Sequence, residues 1–168
     1  RDTLIALVED NSKFTEFEFL KNAQKGKNRL EGYLTPNTYA INIGADEEQI
    51  LTTLLNQFDV IWTPECQARA DELGLTQNEV IAVASIIERE ALLEEDRPKV
   101  ASVIYNRLEI DMPLQMCSTV QYVLGETKEE LTIADTQIES PYNTYLHTGL
   151  PKGPICSPGE ASIMAALY

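Results

Sequence analysis

Apolar positions recur every third or fourth residue along much of the chain, the period of helices that bury one face. Ile50, Leu51, Leu54, Leu55 and Phe58 make one such stripe, with Asp46 standing where a starting cap belongs. Thr63-Pro64 predicts the opening of a second helix, with proline in its first turn and Gly74 as its stop. Thr76, followed three residues later by Glu79, forms a capping box for a third. Asp96 and Pro98 start a fourth, striped by Val100, Ala101, Val103, Ile104 and Leu108. "SPGE" at 157–160 predicts the cap of a last helix running through Met164 and Leu167.

Two stretches lack this period. "LEGYLTPNTYAI", residues 30–41, sets Tyr and Thr around a Pro-Asn turn and predicts brief strands or an ordered loop. "SPYNTYLHTGLPKGPICSPG", residues 140–159, is rich in Pro and Gly and too long for a passive connector. No internal repeat, low-complexity tract or interdomain linker is visible. Residues 1–30 read as a semi-separate helical lead-in, the end of a preceding region, and 31–168 as the main domain. The expected fold class is α+β, predominantly helical: a central buried helix, a small β element, and a long Pro/Gly-rich loop lining a groove.

The third helix poses the chemical question. On a wheel at about 100° per residue, apolar groups cover nearly the whole circumference of residues 79–94, so this helix belongs in the core. Yet Glu88-Arg89-Glu90 interrupts it. Arg89 falls farthest from the apolar direction and reaches solvent. Glu90 has large aliphatic neighbours at Val83, Ile86 and Ile87, whereas Glu88 has Ile81, Ala84 and Ser85. A carboxyl among aliphatic groups is disfavoured as an anion, so a raised pKa and a general-acid role are expected of Glu90. Residues two apart on a helix do not face each other, so the two glutamates are neither a catalytic pair nor a metal clamp. A buried ion pair of Glu90 with Arg97 or Arg107 accounts for the pattern equally well.

Charge and cysteines narrow the field. The 168 residues hold 13 Lys and Arg against 27 Asp and Glu, a net charge of −14. That balance argues against nucleic acid and against an anionic membrane surface. Three cysteines, Cys66, Cys117 and Cys156, form no CxxC pair, and with one histidine, His147, they offer no zinc set. They leave room for one disulfide at most. No G-x-S-x-G elbow accompanies His147, and no phosphate-binding glycine loop follows a strand. Tyr142, Asn143 and Tyr145 suit a sugar groove, or ordinary loop packing. No run is long enough for a membrane span and no signal peptide precedes the chain, which reads as a piece of a larger protein.

Taken in order and spacing, "LEGYLTPNTY", "ASIIEREA", "RPKVASVIYNRL", "PLQ", "STVQY" and "SPYNTYLHTGLPKGPICSPGEASIMAAL" resemble the YceG-like (MltG) family of endolytic murein transglycosylases. The likeness runs from about residue 30 to 167 and is densest over 84–161. It implies a catalytic domain at 31–168, without the family's segment after the Ala-Ala-Leu helix. It implies that the second glutamate of E-x-E, Glu90, is the catalytic acid. Family motif positions and side-chain chemistry nominate Gln115, Thr119, Tyr142, Asn143 and Tyr145 for substrate binding, with no metal and no cofactor. The substrate implied is peptidoglycan glycan, cut to leave 1,6-anhydro ends. Also implied are penicillin-binding proteins or other cell-wall synthesis proteins as partners. The address implied is the extracytoplasmic face of the bacterial membrane, through an N-terminal anchor absent here. Many members carry Asp-Pro where this chain has Cys117-Ser118, so an acidic role at that spot does not carry over. Two other classes fit the residues: a glycan-binding module that does not cut, and a hydrolase using Asp135 or Glu139 as a second acid.

Overall fold

The computed structural model describes residues 2–168. Eight helices carry it: α1 (Asp2–Glu9), α2 (Glu47–Ile61), α3 (Pro64–Glu72), α4 (Gln77–Glu90), α5 (Arg97–Glu109), α6 (Cys117–Leu124), α7 (Ile133–Thr136) and α8 (Glu160–Leu167). Local chemistry explains most starts. Asp46 accepts from Gln49 N–H and closes a capping box on α2, Thr63 caps α3 with Pro64 in its first turn, and Thr76 and Glu79 cap α4 reciprocally. Gly74, at φ +69°, follows the end of α3.

The expected β element is not there. Among the described residues no strand forms, and 30–41 is turns and irregular backbone. The reason is local. Glu31 N–H bonds back to the Asn28 carbonyl and Tyr33 N–H to the Leu30 carbonyl, so these backbone groups are satisfied within turns. Gly32 takes φ +93°, outside any strand geometry, and its Cα faces Pro154 and Ile81 so closely that a Cβ would lie 2.6–2.7 Å from them. Leu30 and Tyr33 are both buried, so the segment is an anchored loop.

The core is built around α4. Every residue from Val80 to Ile87 is buried. Helix α8 covers one side through Ile163, Ala166 and Leu167; α5 adds Ala101 and Ile104, and α3 adds Cys66 and Ala70. Phe17, Phe19, Tyr33 and Phe58 pack ring on ring, at centroid distances of 4.6–5.4 Å. Phe14, Phe17, Phe19, Leu20 and Leu30 of the lead-in belong to the same apolar cluster as α4. All three cysteines are free thiols. Among the described residues no helix is long and apolar enough to cross a membrane.

The Pro/Gly-rich run is fastened to the middle of α4. The Ser85 hydroxyl accepts from Ile155 N–H at 3.0 Å and donates to the Ala82 carbonyl, while the Cys156 thiol donates to the Ser85 carbonyl. "SPGE" does not cap α8 through its own serine, whose hydroxyl takes the Gly32 N–H. Gly159 stands at the cap, and Glu88 braces it: Glu88 Oε2 accepts from Gly159 N–H at 3.2 Å and from the Ser162 hydroxyl at 2.6 Å.

Candidate active site

Glu90 is the last residue of α4, where the helix leaves the core, and it is half-buried. Its aliphatic neighbours on the wheel lie in the preceding turns. Its carboxylate meets the N-terminus of α6, where Ser118 N–H donates to Oε1 at 3.0 Å. The two glutamates of E-x-E therefore each reach the first turn of a different helix, Glu88 that of α8 and Glu90 that of α6. Neither arginine weighed as a partner for Glu90 is its partner. Arg97 donates to the Ser162 hydroxyl at 3.0 Å, and Arg107 to the Leu114 carbonyl. Among the described residues Glu90 has no ion pair, and its Oε2 is free.

Open clefts flank α6. One, of about 390 Å³, is lined by Arg89, Ser118, Gln121, Tyr122, Gly125, Glu126, Thr127 and Ile155. The other, of about 490 Å³, is lined by Cys117, Gln121, Tyr145 and residues 129–133 and 136. Gln121 borders both; Ser118 lines the first and its amide holds Glu90, while Cys117 lines the second. A larger cleft of about 660 Å³ lies near the start of α4, away from Glu90.

The nominated binding residues divide by position. Tyr145 borders the second cleft with its hydroxyl 3.1 Å from the Cys117 thiol. Burial first, then the Cys117 contact and the Glu90 charge, push that hydroxyl up to about 12. Gln115 is exposed, two residues before α6, at φ +51°; its N–H donates to the Thr144 carbonyl at 2.9 Å. Thr119 is wholly buried, its hydroxyl bonded to the Met116 carbonyl and the Thr144 hydroxyl. Asn143 is also buried, its amide donating to the Thr136 and Ile138 carbonyls and its oxygen accepting from Tyr145 N–H. Here Thr119 and Asn143 hold the groove's shape from inside. Tyr142 is half-buried behind Tyr122, ring centroids 4.8 Å apart, with its hydroxyl donating to Gln24.

Ser118, Gln121 and Tyr122 escaped the sequence reading. Their spacing of three and four residues sets them on one face of α6, a helix of only eight residues and too short to announce itself. Thr144 was missed as well; it joins the start of α6 to the Pro/Gly-rich run, its hydroxyl also accepting from Met116 N–H at 3.0 Å. The second acids considered for a hydrolase are engaged. Asp135 is held by Lys128 and by the Thr132 N–H and hydroxyl, which bring its carboxyl down to about 2. Glu139 lies 2.8 Å from His147 on the surface.

A glutamate at the tip of a buried helix, bonded to the start of a helix that clefts flank on both sides, is the arrangement against which relatives can be compared. The YceG-like family model matches residues 2–168. This chain belongs to the YceG-like family. It is 40% identical over 144 residues to an endolytic murein transglycosylase of Bacillus subtilis, an alignment covering 84% of this chain and 39% of that protein. To the endolytic murein transglycosylase of Streptococcus pneumoniae D39 it is 38% identical, covering 83% of this chain and 26% of that one. The chain thus spans between a quarter and two fifths of the length of these curated relatives. A crystal structure of a YceG-like protein from Listeria monocytogenes superposes with a TM-score of 0.83 at 36% identity, covering 99% of this chain and 58% of that one.

Proposed function

We propose that this chain is the catalytic part of an endolytic murein transglycosylase. It cuts the β-1,4 bond between N-acetylmuramic acid and N-acetylglucosamine in nascent peptidoglycan, at the extracytoplasmic face of the bacterial membrane. The observation that carries this is Glu90, a carboxyl with one oxygen fixed by the Ser118 amide, no ion pair, and a groove on either side of the helix it meets.

In the proposed reaction the protonated Glu90 gives its proton to the glycosidic oxygen as the bond from that oxygen to the muramyl C1 breaks. Positive charge develops at C1, where the muramyl acetamido carbonyl assists. The C6 hydroxyl oxygen of the same sugar then bonds to C1, and its proton passes to Glu90. The 1,6-anhydro ring closes, the acid is restored, and no water is consumed. One carboxyl acting first as acid and then as base differs from the two-carboxyl scheme of glycoside hydrolases. The engagement of Asp135 and Glu139 favours the one-carboxyl route. Cell-wall synthesis proteins, penicillin-binding proteins among them, are the partners this activity calls for.

The test is a digest of uncrosslinked peptidoglycan strands by the wild-type chain and by Glu90→Gln, read by mass spectrometry. The expected product is one water lighter than the hydrolytic one, and Glu90→Gln should lower its rate by at least about a hundredfold, the scale of general-acid catalysis. Reducing ends in place of anhydro ends would make the protein a hydrolase. Binding of strands with no cleavage by either chain would make it a glycan-binding module.

A further inference from the structure

Behind the cleft that Ser118 lines, residues 24–31, at the join of the lead-in and the main domain, tie two tyrosines together. The Tyr122 hydroxyl donates to Glu31 Oε2 at 2.5 Å and accepts from the Asn28 amide. The Tyr142 hydroxyl donates to Gln24 Oε1 at 2.6 Å. The two rings lie 4.8 Å apart at 48°, one from α6 and one from the Pro/Gly-rich run. Gln24, Asn28 and Glu31 thus hold both hydroxyl ends from a single stretch.

Packing alone does not call for this network. Phenylalanine at 122 would fill the space without half-burying a carboxyl, and such burial is costly when the group is not put to use. What the network achieves is orientation. The Tyr122 hydroxyl has its proton committed to Glu31 and a lone pair committed to Asn28, so the ring cannot turn freely. That ring borders the cleft together with Ser118, whose amide holds Glu90. Ser118 lines the same cleft, and its hydroxyl lies just beneath the surface, buried and without a hydrogen-bond partner among the described residues.

We infer that Glu31 is a positioning residue for substrate: by holding the Tyr122 hydroxyl it fixes that ring as the wall against which an N-acetylated amino sugar lies beside Glu90. The sugar's apolar C–H face meets the ring. This role presupposes that the cleft is the glycan site proposed above.

Binding is measured apart from cleavage. Uncrosslinked glycan strands are titrated calorimetrically into the full chain carrying Glu90→Gln, with and without further substitutions. Tyr122→Phe, which removes one oxygen, and Glu31→Ala should each weaken binding by about tenfold, or ~1.4 kcal/mol. Glu31→Gln keeps an acceptor for the hydroxyl and should bind within about twofold of the parent, a rescue that a space-filling role would not require. In the otherwise wild-type chain, Tyr122→Phe should raise KM more than it lowers kcat. Should Glu31→Ala fail to fold, Tyr122→Phe and Glu31→Gln decide. Unchanged binding by Tyr122→Phe, or no binding by the parent, overturns the assignment. If the wild type releases no anhydro product while Tyr122→Phe still loses binding, the cleavage reading falls and Glu31 keeps its role. If cleavage proceeds and Tyr122→Phe binds as the Glu90→Gln parent does and, in the otherwise wild-type chain, cleaves as the wild type does, the reverse holds.

Discussion

Glu31 gives a pH signature that needs no substrate. Burial holds its carboxyl above the usual range, outweighing the hydrogen bonds from Tyr122 and Asn28. A carboxyl whose folded pKa is raised costs nothing below its unfolded value of about 4.3; the cost grows as pH rises past that and is complete above the folded pKa. Glu31→Gln should therefore raise the melting temperature at pH 7 and lose that advantage by about pH 4, in the same range. An equal gain at both pH values would mean the effect is not the carboxyl's charge. The thiols make a second residue-level prediction. Cys117 is exposed, Cys66 is buried, and the Cys156 thiol is pushed up to about 12 by burial and by the Glu88 charge. Iodoacetamide at neutral pH should label Cys117 first and reach Cys66 only on unfolding, as peptide mapping would show. Labelling of Cys156 ahead of Cys117 would contradict the structure. At this scale the sequence draws attention to Glu90 because three charges in an apolar helix stand out, and the structure puts its carboxylate at the start of α6. Family motif positions and side-chain chemistry nominate Thr119 and Asn143 for sugar binding, but their hydrogen bonds turn inward, and nothing in the one-dimensional pattern reports which way a hydroxyl or amide points.

Helices α2 to α5 could be anticipated from caps and stripes, because those signals are local and close in sequence. Helices α6 and α7 could not; eight and four residues leave too few turns for a period to show. The segment around Gly32 misled for a related reason. Tyr and Thr favour strands, but a strand needs a partner edge, and here backbone turns and a positive φ took precedence. Gly32 offers the sharpest test of an element. A Cβ there would lie 2.6 Å from Pro154 and 2.7 Å from Ile81, on a backbone at φ +93°. Gly32→Ala should cost roughly 2–4 kcal/mol, combining overpacking with backbone strain, and urea denaturation measures it. A change below about 0.5 kcal/mol, the scale of neutral surface substitutions, would mean that the loop is not seated against α4 as described.

For the whole molecule, the first thirty residues are the instructive part. Sequence pattern set them apart as a lead-in, yet Phe14, Phe17, Phe19 and Leu20 are each at most 6% exposed and share the cluster built on α4. Buried side chains of this kind contribute roughly 1.5–3 kcal/mol apiece, and four of them rival the net stability of a domain. A chain beginning at residue 23 should therefore lack a cooperative thermal transition by circular dichroism. A sharp transition near that of the full chain would instead make the lead-in dispensable. Such long-range sharing of a core is invisible to periodicity, which reports which face of an element is apolar and not what covers it.

The paired glutamates at the tip of α4 bear on how this sequence can vary. Each carboxylate serves as the foot on which another helix stands, α8 on Glu88 and α6 on Glu90, and two steps of about 100° turn them to nearly opposite sides. Arg89 between them is exposed, with one long contact to Thr127 at 3.4 Å. Exchange at 89 leaves both feet in place, whereas one residue gained or lost there swings Glu90 through a quarter turn and takes α6, its cleft and the Glu90 carboxyl out of register together. Length, more than residue identity, is what drift in this turn has to preserve.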